Sequence, residues 1–218
     1  MELEIRESPA EAAEAAAKLL AGSDGHVALS GGSTPGPAYE LAGALKPDWS
    51  AVDVWWGDER CVPPDDARSN YRLAREALLD RLAVPPRAVH RIEGELDAEE
   101  AARRYDGELR GVTLDLVLLG LGPDGHTASL FPHDPALEEA ERLALAVERP
   151  DVARVTLTPP PLTAGAHVVF LVVGAGKADA VRRAFADEPD PATPASLIRG
   201  RRTTVILDRD AAARLAGQ

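Results

Sequence analysis

The stretch that most constrains this chain is Leu114-Asp-Leu-Val-Leu-Leu-Gly-Leu-Gly-Pro-Asp-Gly-His-Thr-Ala-Ser-Leu-Phe-Pro132. It opens as a near-continuous apolar run from Leu114 to Leu121. A run that short and that apolar predicts a strand buried on both faces of a parallel sheet. The run then breaks into Gly120-Leu-Gly-Pro-Asp-Gly125, which delivers Asp124 and His126 at the strand's C-terminal end. In open α/β sheets, ligands bind outside those ends. A histidine exchanges a proton near neutral pH, and a carboxylate two residues away can hold its ring or share the work. This turn is the candidate reaction centre. It also satisfies G-x-G-x-x-G, the dinucleotide fingerprint. That motif must open straight into a long helix, whereas Pro132 and Pro135 interrupt the residues that follow, so a nicotinamide or flavin site is not expected.

A second glycine-rich turn follows the strand expected at His26-Val-Ala-Leu-Ser30. Gly31-Gly32-Ser33-Thr34 leads to Pro35, which is placed to open the helix carrying Tyr39 to Leu45. Strand, Gly-Gly-Ser-Thr turn and helix N-terminus together suit a phosphate. Glycines let backbone N–H groups approach the oxygens, the hydroxyls add donors, and the helix dipole favours negative charge. The Gly-Lys-Ser/Thr of a Walker loop is absent, and Pro35 stands where a nucleophile elbow needs glycine.

The remaining elements follow in order. Leu3–Arg6 reads as a strand, and Ser8-Pro9-Ala10-Glu11 as the capped start of a helix to about Ala21. Val52–Gly57 is a third strand, ending in Asp58-Glu59-Arg60. Ser69 is expected to cap an amphipathic helix reaching Leu82, and Asp97 one reaching Leu109. Leu143–Val147 and Val155–Leu157 read as strands, Thr158-Pro-Pro-Pro-Leu162 as a turn, and His167–Gly174 as a second strongly buried strand. Lys177 then stands at the first turn of a helix to about Ala186. Thr203–Leu207 and a short helix from Asp208 close the chain. No repeat or linker divides it, so one domain over 1–218 is expected.

Composition narrows the class. A net charge of −12 argues against a nucleic-acid surface. Only three of the 24 basic residues are lysine, which singles out Lys177 in the C-terminal half. Cys61 is the single cysteine, leaving neither a disulfide framework nor a thiolate metal cluster. No carboxylate–histidine spacing fits a metal set. No apolar run is long enough to cross a membrane, and the acidic N-terminus carries no signal segment. A cytoplasmic protein without membrane or nucleic-acid partners is expected.

Three blocks, Ser30-Gly-Gly-Ser-Thr-Pro35, Trp56-Gly-Asp-Glu-Arg60 with Ser69-Asn70, and Gly120 to Pro132, together resemble the 6-phosphogluconolactonase family. This is the lactone-hydrolysing branch of a superfamily that includes glucosamine-6-phosphate isomerase/deaminase. The resemblance spans nearly the whole chain. It implies an α/β Rossmann-like fold, a three-layer, open, mostly parallel sheet flanked by helices. It also implies hydrolysis of a phosphosugar lactone in the oxidative pentose phosphate pathway, with no cofactor; a monomer or small homo-oligomer is expected. His126 would take the proton from water and Asp124 would orient it. Gly31, Gly32, Ser33 and Thr34, with Asp58, Arg60, Asn70 and Lys177, would hold the phosphosugar. Thr163 and Ala166 depart from the family pattern, which often has asparagine and arginine there.

Two other functions compete. Deaminases typically carry Asp-Glu-Tyr where this chain has Asp58-Glu59-Arg60, and a glutamate where it has Phe131. A non-catalytic sugar-phosphate sensor would need a DNA-binding module, and no basic helix-turn-helix is present. Retention of both Asp124 and His126 favours chemistry.

Overall fold

The computed structural model describes residues 1–215 of the 218. In chain order its elements are β1 (Glu2–Arg6), α1 (Pro9–Ala21), β2 (Gly25–Leu29), α2 (Gly36–Leu45), β3 (Val52–Trp56), β4 (Asp58–Arg60), α3 (Asn70–Ala77) and β5 (Ala88–Val89). There follow α4 (Ala98–Leu109), β6 (Leu116–Leu119), β7 (Ala144–Val147), β8 (Arg154–Leu157), α5 (Pro159–Ala164), β9 (His167–Val172), α6 (Ala178–Phe185) and β10 (Arg202–Asp208). Seven strands form one sheet in the order β1-β10-β9-β6-β2-β3-β5, and every pair in it is parallel. Helices flank it in the Rossmann-like arrangement. The central strands read as unbroken apolar runs because both faces are covered: every residue of β6 and β3 is buried.

The order in which strands are added reverses between β2 and β6. From β2 the chain runs through α2 to β3 on one side; from β6 it returns as β9 on the other. Such a switch point opens a crevice at the C-terminal ends of the two strands, because their following segments diverge. The two glycine-rich turns leave from those ends.

The structure departs from the sequence reading in several places. Asp58–Arg60 does not end β3 but forms β4, which pairs antiparallel with β8; β8 pairs with β7. This three-stranded sheet is separate from the large one. Thr158–Leu162 is not a turn: Pro159–Ala164 is helical, with its prolines in the first turn, where no intrahelical N–H bond is lost. α3 stops at Ala77 and a 3₁₀ turn carries Leu79–Arg81. Ala175–Lys177 is likewise 3₁₀ before α6 begins. After β10 the described residues form turns and no helix.

Candidate active site

A cavity of about 200 Å³ occupies the switch-point crevice. Gly31, Gly32, Ser33, Thr34, Asp58, Arg60, Asn70, His126 and Lys177 all line it. Asp124 stands behind His126. The ten residues singled out in the sequence are thus brought together from β4, α3, the loops after β2 and β6, and the 3₁₀ turn before α6.

The turn after β6 is built around His126. Asp124 Oδ1 lies 2.6 Å from His126 Nδ1 and accepts the His126 backbone N–H at 3.2 Å. Gly122 N–H donates to His126 O at 2.8 Å, which closes the turn. A Cβ at Gly122 would lie 2.1 Å from Nδ1 of the ring, and Gly125 has φ +98°. Both glycines are therefore required by the approach and shape of the turn rather than by a dinucleotide. Partial burial pushes the Asp124 carboxyl up, but its hydrogen bonds and the imidazole outweigh this and hold it below the usual carboxylate range. An ionised Asp124 accepts from Nδ1–H and leaves Nε2 as the ring's proton acceptor. Phe131 packs against the ring, centroids 4.7 Å apart.

The floor is a buried polar network. Asn70 Nδ2 donates to Asp58 O at 2.8 Å and to Asp58 Oδ1 at 3.1 Å, and Ser129 Oγ donates to Asp58 Oδ2 at 2.7 Å. Glu59 points the other way and ties down α3. It accepts the N–H groups of Asn70 and Tyr71 at 2.7 Å, and the Ser69 hydroxyl at 2.9 Å. Burial pushes the Glu59 carboxyl up against the pull of those donors. Ser69 also accepts Arg72 N–H, so its expected role as a helix cap is the observed one. Gly31 passes so close to Asn70 that a Cβ there would lie 1.7 Å from Asn70 Oδ1.

The turn after β2 is open. Tyr39 Oη accepts Ser30 N–H at 2.9 Å and donates to Ser30 O at 2.6 Å, fixing where the loop starts. Beyond it, the N–H groups of Gly31 to Thr34 find no acceptor among the described residues. α1, α3 and α4 are capped by Ser8, Ser69 and Asp97, but α2 begins at Pro35 with no side-chain cap. A loop and helix end left with free donors suit an anion. Lys177 shares a neighbouring pocket with Ser33 and Thr34; burial pulls its ammonium below the ordinary lysine value, and the charge of Asp124 pushes back. Lys177 is delivered by Gly174, whose N–H donates to both oxygens of the buried Asp208.

Arg154 and Thr127 also line the cavity, and Ser129 holds its floor. None of the three was singled out from the sequence. Ser129 sits inside the Gly120–Pro132 block and was within reach of that argument. Arg154 had no local signal, since only the pairing of β8 with β4 brings it to the site. The departures at Thr163 and Ala166 prove remote: neither lines the cavity. Ala166 N–H donates to Leu114 O at the N-terminal end of β6, opposite the crevice. Among the described residues, no three His, Cys, Asp or Glu side chains converge as a metal site would require.

Residues 4–207 match the family described as glucosamine-6-phosphate isomerases/6-phosphogluconolactonase. The chain belongs to this family. It is 41% identical over 199 residues to a 6-phosphogluconolactonase of Synechocystis sp., covering 86% of this chain and 83% of that protein. The crystal structure of 6-phosphogluconolactonase from Thermotoga maritima superposes with a TM-score of 0.81 at 33% identity, covering 95% of this chain and 98% of that one. A monomeric glucosamine-6-phosphate deaminase reaches a TM-score of 0.87 at 21% identity, covering 98% and 100%. The last likeness is one of fold. Backbone shape is common to both branches of the family, so the choice between them rests on side chains.

Proposed function

We propose that this protein hydrolyses 6-phospho-D-glucono-1,5-lactone to 6-phosphogluconate, the second step of the oxidative pentose phosphate pathway. The observation that carries the reading is the Asp124–His126 pair, set at the wall of a crevice that an uncapped, glycine-rich turn also lines. Nε2 of His126 takes a proton from water, and the water oxygen bonds to the lactone C1. The tetrahedral oxyanion collapses by breaking the bond between C1 and the ring oxygen. The imidazolium returns its proton to that leaving oxygen, and Asp124 steadies the charge on the ring meanwhile. A positioned base of this kind contributes about 10²–10⁴-fold.

The free N–H groups and hydroxyls of Gly31 to Thr34, with Arg60 and Lys177, hold the 6-phosphate and so place C1 before the base. Asp58 has two of its roughly four acceptor positions taken by Asn70 and Ser129, which leaves capacity for a sugar hydroxyl. Phe131 packs against His126 where a deaminase would need a further acid/base group. Its ring offers no proton to exchange, which favours hydrolysis over isomerisation of an amino sugar.

The test is proton release on adding freshly generated lactone, with spontaneous hydrolysis subtracted. The wild type is expected to accelerate the reaction. His126→Ala is expected to fall to near background while still binding 6-phosphogluconate. A wild type that adds nothing over background but binds the phosphosugar would sink the enzyme and leave a sensor.

A further inference from the structure

Arg154 opens β8 and faces Arg60 of β4 across an antiparallel ladder. Cys61 N–H donates to Ala153 O at 2.8 Å, so the two arginines form a non-hydrogen-bonded pair. In such pairs the Cα atoms come closest, about 4.5 Å apart, and the side chains leave on the same face. Two cations opposed in this way repel each other. Both line the cavity that holds His126. In both, Nε is buried and has no hydrogen-bond partner.

Each guanidinium is held at one end. Arg60 Nη1 donates to Arg68 O at 2.5 Å, and Arg154 Nη2 lies 2.9 Å from Asp151 Oδ2. Arg154 keeps only 15% of its side chain exposed, and its Cζ stands 5.6 Å from the centroid of Phe131. A buried, unmatched donor costs free energy, and so does the facing like charge. A doubly negative group between the two forks would relieve both, since planar guanidinium donors match phosphate oxygens two at a time.

We propose that Arg154 and Arg60 form a two-arginine clamp on the substrate phosphate, with Arg154 the residue that separates phosphorylated from unphosphorylated lactones. The clamp rests on the phosphosugar-lactone reading of this site and adds to it a specificity-determining residue. The Phe131 ring stands near both Arg154, 5.6 Å from Cζ to centroid, and His126, 4.7 Å between centroids.

The experiment compares wild type, Arg154→Gln and Arg154→Lys on 6-phosphoglucono-δ-lactone and on glucono-δ-lactone, with inorganic phosphate as competitor. For Arg154→Gln the expected change is a rise of roughly 10–100-fold in KM for the phosphorylated lactone, the range spanned by charged hydrogen bonds, with kcat little altered. The preference for the phosphorylated over the plain lactone should shrink by the same factor, and inorganic phosphate should compete correspondingly less well. Arg154→Lys, which keeps the charge and loses the fork, should recover part of both. Should Arg154→Gln fail to fold, Arg154→Lys carries the comparison. A preference ratio equal to wild type in the folded variants overturns the clamp and leaves Arg154 as a brace for β8. A fall in kcat with that ratio unchanged overturns it equally and moves Arg154 to the reacting carbonyl. If the wild type hydrolyses neither lactone, the enzymatic reading fails on its own. The clamp is then judged by calorimetric binding of inorganic phosphate, which Arg154→Gln must weaken.

Discussion

The two sheets of this protein divide the work. The seven-stranded parallel sheet is made of runs such as Leu116–Leu119 and Val168–Val172, buried on both faces and devoid of chemistry. The three-stranded antiparallel sheet is small, but it presents Asp58, Arg60 and Arg154 to the cavity. A strand buried on both faces holds a charge only where a partner neutralises it, as Arg87 does for Asp53 of β3. A short antiparallel ladder has one face on the core and the other available, so it can carry charges into a site. The large sheet fixes where the crevice is, and the small one supplies charged side chains to its lining.

Substitutions in the two sheets should therefore separate stability from chemistry. Leu118→Ala removes a fully buried leucine from the centre of the large sheet. The expected cost is about 2–5 kcal/mol of stability, with kcat little changed below the melting temperature; thermal melts and kinetics on the same sample check both. A large loss of kcat in the folded variant would mean that the scaffold is not passive. Gly31→Ala acts at the crevice instead, because its Cβ would overlap Asn70 Oδ1. Displacing Asn70 or the loop by about 1 Å should cost on the order of 10²-fold in kcat/KM, measured by proton release.

Ser129→Ala bridges the two effects. It removes the hydroxyl that donates to Asp58 Oδ2, leaving a buried carboxylate short of a donor. About 1–3 kcal/mol of stability should be lost in denaturant titrations, with a higher KM expected from the proposed role of Asp58 in holding the sugar. The smallest effect is one of pH. Because burial lowers the Lys177 value, its charge is lost as pH rises at a lower pH than the value of about 10.4 ordinary for lysine. Inhibition by 6-phosphogluconate should weaken over that alkaline window by a few-fold, and Lys177→Arg, which stays charged, should flatten the limb. An equal limb in Lys177→Arg would assign it to another group.

What could be read from the chain depended on the range of the interactions. The buried strands, the Ser8, Ser69 and Asp97 caps, the two glycine turns and the pairing of Asp124 with His126 all rest on neighbours within a few residues. Local periodicity, side-chain reach and turn chemistry suffice for these. The prolines at 159–161 misled because a proline run reads as a break, although prolines fit the first turn of a helix. Asp58–Arg60 misled for another reason. Three charged residues after a strand look like a loop until a partner strand takes their backbone groups.

The sequence by itself determined the parallel α/β scaffold and the two turns at its crevice, because burial pattern and glycine placement are written in contiguous residues. Tertiary structure alone decided that β4 meets β8, that Ser129 and Asn70 hold Asp58 from two sides, and that Arg154 enters the site. Those contacts join residues far apart in the chain. The β4–β8 register that brings Arg154 in is encoded by no local pattern, since register is set only when both strands are packed against a common core, and Ser129 and Asn70 reach Asp58 from a loop and from α3.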